Sequence, residues 1–183
     1  MVQLILASLY LLLPAYVANM APVMANRFGI LKFTAKPIDF GKTWKGKPVL
    51  GPNKTFRGFL VAILAGILIS YVQYYLWRKS NVLLGSDIFP YERINFAVWG
   101  FLLSFGALFG DLIKSLIKRR FNIAPGKMWF PWDQLDMVVG AIVLGSTIFI
   151  LPLKVMITVL ILTPILALFV NYCSYKLGIK EKV

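Results

Sequence analysis

Five runs without a charged side chain divide this chain: Met1 to Asn26, Gly58 to Trp77, Ile94 to Gly110, Met137 to Leu153 and Val155 to Tyr175. A helix rises about 1.5 Å per residue and a bilayer core is about 30 Å thick, so roughly 20 apolar residues span it. With 59% of its 183 residues apolar and 15% charged, the chain is expected to be an all-α integral membrane protein with five transmembrane helices. The first run has no basic segment before it, is longer than a signal-peptide core and leads into positive charge, so it reads as a helix of the mature protein. Residues 1–183 are then one transmembrane domain with polar loops at about 27–57 and 112–132.

The formal net charge of +13 acquires meaning from where the cations lie. Eight Lys or Arg fall between Arg27 and Arg57, five between Asp111 and Asp136 and three after Tyr175; Arg78, Lys79, Arg93 and Lys154 are the rest. Alternate faces therefore carry 16 and 4 of the 20 cations. The positive-inside rule places the N-terminus outside, both basic loops in the cytoplasm and the C-terminus inside. Attraction to anionic membrane lipids accounts for many of these charges, and no nucleic-acid partner is needed to explain them.

Three of the seven acidic residues lie between Asp111 and Asp136, where carboxylates beside a bilayer are costly. The chain has no histidine and one cysteine, Cys173, which excludes zinc sites, Cys/His nucleophilic pairs and disulfides. Carboxylates, cations and hydroxyls remain, an inventory that suits Mg²⁺ and phosphate substrates. If the third span continues past Gly110, Asp111, Lys114 and Lys118 share one helical face. Pro125-Gly126 breaks the chain, and Pro131-Trp132 leads into the fourth span with Asp133 as N-cap or in the first turn and Asp136 one turn on. Asp111, Asp133 and Asp136 from two helix ends are thus candidates to hold one or two Mg²⁺ ions. The alternative, that Asp133 and Asp136 only favour the positive end of their helix by about 0.3–1 kcal/mol each, leaves Asp111 unexplained.

The first basic loop contains an echo: Lys42-Thr43-Trp44-Lys45-Gly46 and Lys54-Thr55-Phe56-Arg57-Gly58. Neither copy has Walker A spacing. The second stands where the chain enters the second span, so free backbone N–H groups there, with Lys54, Thr55 and Arg57, are expected to converge on an anion.

The segments Gly110-Asp111-Leu112-Ile113-Lys114-Ser115-Leu116-Ile117-Lys118-Arg119 and Pro131-Trp132-Asp133-Gln134-Leu135-Asp136 resemble the C-terminal signature of the CTP-dependent phosphatidate cytidylyltransferases. Gly51-Pro52-Asn53-Lys54-Thr55-Phe56-Arg57-Gly58 is similar to that family's first cytoplasmic motif. The bacterial and eukaryotic members have His-Gly-Gly before the paired aspartates and an Arg between them; this chain has neither, and looks more like the archaeal, CDP-archaeol-forming branch. The resemblance implies transfer of CMP from CTP to an isoprenoid ether lipid phosphate, 2,3-bis-O-geranylgeranylglycerol 1-phosphate, at the cytoplasmic face of the cell membrane. It implies that Asp111, Asp133 and Asp136 hold Mg²⁺, and that Lys114, Lys118, Arg119 and Arg120 meet the triphosphate or the lipid phosphate. Asn53, Lys54, Thr55 and Arg57 then meet the nucleotide. A groove between helices must admit the acceptor, and Gly100, Gly106, Gly110, Gly140 and Gly145 would let helices approach closely near it.

Two other classes fit less well. A CDP-alcohol phosphotransferase also uses aspartates and Mg²⁺ at the membrane edge, but its signature begins Asp-Gly, whereas Leu-Ile-Lys follows Asp111. A small cation or proton transporter would place its acids at mid-membrane depth rather than at helix ends among Lys and Arg.

Overall fold

The computed structural model describes residues 1–80, 85, 87–124 and 127–176, apart from the side chains of residues 80, 171 and 173–175. The chain break assigned to Pro125-Gly126 and the packing of Cys173 lie outside the described residues. Among the described residues six α-helices make up the body: α1 (Val2–Leu11), α2 (Leu13–Arg27), α3 (Phe56–Ser80), α4 (Phe96–Arg120), α5 (Trp132–Gly145) and α6 (Leu153–Lys176). Within them Phe56–Lys79, Phe96–Arg120 and Leu153–Val170 are long and apolar enough to cross a membrane, and α1 with α2 form a fourth such length only as a pair bent by 53°.

The first apolar run is therefore two helices rather than one, for a local reason. Pro14 has no N–H to give the Tyr10 carbonyl, four residues back; that carbonyl accepts from a backbone N–H at the end of α1 and keeps a lone pair for a side chain. Gln73 of α3 takes it up, its Nε2 donating to Tyr10 O at 2.6 Å, and Gln73 is itself buried. The run from Met137 to Leu153 is also not one helix. Its helix begins earlier, at Trp132, and ends at Gly145; 14 residues rise about 21 Å, short of a bilayer core.

Glycines set how closely the helices meet. A Cβ at Gly106 would overlap the Gly140 carbonyl, and one at Gly110 would overlap the Asp136 carbonyl, so α4 and α5 touch backbone to backbone. At Gly100 the added atom would lie 2.8 Å from Ile67 Cα and 2.9 Å from Gly66 O, which brings α3 equally close to α4. Helix α6 closes the bundle with Val155 and Val159 in the same buried cluster as Leu11, Leu12, Trp99, Leu103 and Val138. Its Thr163 hydroxyl pairs with Tyr16 of α2 at 2.7 Å, which satisfies two polar groups amid hydrocarbon.

The two ends of the bundle differ. Near the start of α4, Phe89 packs on Tyr91, Trp99 and Phe149, with ring centroids 4.7–5.2 Å apart. At its other end stands the basic loop, where a short hairpin of β1 (Thr43–Trp44) and β2 (Lys47–Pro48) pairs Thr43 with Pro48 and Trp44 with Lys47. Lys45 and Gly46 turn it with φ of 52° and 74°, the left-handed pair that a two-residue hairpin needs. The two echo copies are thus unlike in structure: one is a hairpin, the other a helix start.

Candidate functional site

Helix α4 continues ten residues beyond Gly110, because Leu112, Ile113, Leu116 and Ile117 extend its apolar face and the left-handed φ of 60° first occurs at Asn122. The second loop accordingly begins after Arg120, not at residue 112. This extension carries Asp111, Lys114 and Lys118 along one face, and the glycine contact at Gly110 and Asp136 sets the start of α5 beside them. Trp132 opens α5, so Asp133 lies in its first turn.

Lys114 is the hub of the resulting cluster. Its Nζ is 3.0 Å from Asp111 Oδ1, 3.2 Å from Asp133 Oδ1 and 2.7 Å from Asp136 Oδ2. Lys54, from the loop before α3, pairs with Asp111 Oδ2, and Lys118 donates to both Asp133 oxygens at 3.0 and 2.8 Å. Three carboxylates and three ammonium groups from α4, α5 and the basic loop thus interlock, each of them less than a quarter exposed. Such a balanced set tolerates burial that no single member would.

The donors suit a hard divalent cation, although Lys114 stands where the carboxylates converge, and no three acids among the described residues form a metal-holding group as they stand. Asp136 Oδ2 is sealed from solvent, and among the described residues its polar contact is the Lys114 ammonium at 2.7 Å. Asp136 Oδ1 accepts only from the adjacent Met137 N–H, at 2.6 Å. Carboxylate oxygens left with so few donors are the ligand type that Mg²⁺ takes.

The remaining cations divide. Arg120 is committed to the hairpin: Nη1 donates to Trp44 O at 2.8 Å, Nη2 to Pro48 O at 2.7 Å, and the guanidinium lies 4.9 Å from the Trp44 ring centroid. Arg119 is buried, donates to Ile123 O and leaves its Nε without a partner. A Cβ at Gly51 would lie 3.9 Å from that Nε, so Arg119 faces the Gly51 turn. Arg57 is buried as well and donates through Nη2 to Asn26 Oδ1 at 2.6 Å. Among the described residues neither Arg57 nor Arg119 has a carboxylate partner, whereas Lys54, Lys114 and Lys118 all do.

At the start of α3 the structure differs from the expected row of free N–H groups. Thr55 Oγ1 accepts from Gly58 N at 3.1 Å as an N-cap, and Phe56 N donates to Lys36 O at 3.0 Å. Two of the first three amides are therefore used internally, while Asn53 is exposed beside them.

Sequence reasoning missed Asp39. This buried carboxylate accepts from Gly41 N at 3.0 Å, Leu50 N at 2.9 Å and Gly51 N at 3.0 Å, and Ile38 N donates to Lys54 O at 2.8 Å. Burial raises the Asp39 pKa, but the amides of Gly51, Leu50 and Gly41 together hold it below the usual carboxylate value. The knot fixes Gly51, whose φ of 102° favours glycine, and so fixes the turn that sends Lys54 to Asp111. The available signal was that Asp39 is the only acid between Arg27 and Arg57.

A helical membrane protein that gathers paired carboxylates and lysines at one end of its bundle, with two uncompensated arginines nearby, has the make-up of an intramembrane enzyme for anionic substrates. A solved structure described as an intramembrane enzyme for archaeal membrane lipids biosynthesis superposes with a TM-score of 0.73 at 28% identity, over 92% of this chain and 94% of the other. CDP-archaeol synthases of Thermofilum pendens and Archaeoglobus fulgidus are 40% and 37% identical over 95% and 99% of this chain, and over 78% and 98% of their own lengths. The CarS-like CDP-archaeol synthase family model matches residues 1–183, and the chain belongs to that family.

Proposed function

We propose that this protein transfers CMP from CTP to 2,3-bis-O-geranylgeranylglycerol 1-phosphate, releasing pyrophosphate and forming the CDP-activated ether lipid. The observation that carries this reading is the convergence of Asp111, Asp133 and Asp136 on Lys114 at the bundle end that also bears the basic loop. An acceptor oxygen attacks the α-phosphorus of CTP as the bond to the β-phosphate oxygen breaks. A phosphate monoester with a second pKa of about 6 is already ionised near neutral pH, so no strong general base is required and a chain without histidine suffices. The protein's work is to position two polyanions and balance their charge.

Asp111, Asp133 and Asp136 are the residues to hold Mg²⁺, which when bound supplies charge neutralisation at the phosphoryl oxygens. Lys114 keeps the three carboxylates together and meets the charge that develops on the transferred group. Lys118 holds Asp133 in register, and Arg119, lacking a counter-ion, is the group for the triphosphate. Lys54 and the exposed Asn53 border the nucleotide from the opposite loop. Thr55 contributes by capping α3, and Arg120 by fixing the hairpin. The reading sets this centre on the cytoplasmic face of a multi-pass protein with five crossings, which requires that the bent α1–α2 pair and the short α5 each complete one.

The test is direct. Purified protein incubated with labelled CTP, Mg²⁺ and the geranylgeranyl diether phosphate should yield a CDP-lipid and pyrophosphate; no product with this acceptor or with phosphatidate would contradict the reading.

A further inference from the structure

The acceptor's isoprenoid chains need an apolar recess that opens to lipid and reaches the phosphate-handling end. The seam between α4 and α5 is closed to them, because the backbones of Gly106 and Gly110 lie directly on Gly140 and Asp136. A hollow of about 300 Å³ lies instead between α2 and α3, lined by apolar side chains that include Val17, Met20, Ala21, Met24 and Ala25 of α2 and Val61 of α3. Met20 and Met24 are more than half or half exposed along it, so it is open at the side.

The lining itself is apolar, and polar side chains follow it along both helices. Arg57 stands four residues before Val61, on the same face of α3, and Asn26 follows Ala25 on α2. The 2.6 Å hydrogen bond between them bridges the two helices whose side chains line the hollow. Arg57 is 9% exposed and has no carboxylate partner among the described residues. A buried cation without a counter-ion is costly unless an anion completes it.

We infer that this hollow is the acceptor subsite: Arg57 receives the phosphate of the isoprenoid ether lipid, Asn26 is a positioning residue that orients the guanidinium, and the proximal part of a chain lies against Val61 and the α2 methionines. The inference rests on the cytidylyltransferase reading and moves Arg57 from the nucleotide to the lipid. It also explains why the loop brings Lys54 to Asp111 while Arg57, one helical turn further on, turns instead to α2.

Steady-state kinetics on the full-length protein, varying CTP and the diether phosphate separately, tests it. Arg57→Gln should raise KM for the diether phosphate at least tenfold and leave KM for CTP within about twofold. Val61→Trp, which fills the hollow, should raise KM for the geranylgeranyl acceptor more than for a short-chain diether phosphate. Asn26→Ala should give a smaller rise in acceptor KM than Arg57→Gln, and Arg57→Lys should restore part of the loss. Melting in detergent keeps the comparison to folded variants, with Ala21→Trp replacing Val61→Trp if the latter does not fold. A rise in KM for CTP alone in Arg57→Gln, or equal acceptor KM values in the tryptophan variant and the unaltered protein, would overturn the assignment while leaving the reaction intact. Failure of the unaltered protein to use either acceptor would sink the reaction and this subsite with it.

Discussion

Lys114 touches all three carboxylates of the cluster, so its removal tests charge balance at a single atom. Lys114→Met should lower turnover by roughly two orders of magnitude. It should also make the folded protein more dependent on divalent cation, seen as a larger rise in melting temperature on adding MgCl₂ than the unaltered protein shows; an equal rise would argue against the three acids as metal ligands. Asp39 acts through Lys54 rather than on substrate, which predicts coupling. Asp39→Ala and Lys54→Met should each impair turnover, and the double variant should be little worse than Lys54→Met alone; additive losses would assign Asp39 a purely structural part. Because the Asp39 pKa is depressed on folding, its stabilisation is present above the ordinary carboxylate value of about 3.9 and is lost as pH falls through the lower folded value. The melting temperatures of the unaltered protein and Asp39→Asn should therefore converge as the pH is lowered, and a constant gap would contradict this. Asp111, Asp133 and Asp136 were legible in the sequence because carboxylates at the ends of apolar runs have few other roles. Asp39 was not, since its partners are backbone amides brought to it by loop geometry that no side-chain pattern records.

At the scale of elements, the glycine seam between α4 and α5 governs where the acids meet. Gly140→Val would place side-chain atoms on the Gly106 carbonyl and should destabilise the bundle by about 3 kcal/mol or more. Gly46→Ala, with open space around it but φ of 74°, should cost only about 1 kcal/mol. Thermal melting in detergent compares the two, and equal effects would contradict the backbone contact. The sharing of one face by Asp111, Lys114 and Lys118 follows from residue spacing once α4 is continued past Gly110, as it is to Arg120. The breaks did not: Pro14 interrupts the first apolar run, and the Tyr10 carbonyl there is satisfied by Gln73, some sixty residues away, which donates to it. The echo in the basic loop marked real turns, yet equal residues gave a hairpin in one place and a capped helix in the other, because Thr55 leads into apolar Phe56–Ser80 whereas Thr43 is followed at once by the Lys45-Gly46 turn.

For the whole molecule, the asymmetry of 16 cations against 4 predicts which side each loop faces. In a Cys173→Ser background, a cysteine at Lys45 should react with an impermeant thiol reagent only after the cytoplasmic side is exposed, and one at Arg93 should react from outside. The reverse pattern would invert the orientation. The class of protein was readable from its apolar runs, and the approach of Asp111 to Asp133 and Asp136 from acids at the facing ends of two of them. The number of crossings was less so, because hydropathy counts residues while α5 spends only 14 of them in helix. The claim that unites these scales is that the cluster around Lys114 is where CMP is transferred. Turnover of labelled CTP with the diether phosphate by Asp111→Asn, Asp133→Asn and Asp136→Asn, each shown to be folded and membrane-inserted, tests it most directly. Each variant should lose at least about a hundredfold in rate, and near-normal turnover in all three would contradict it.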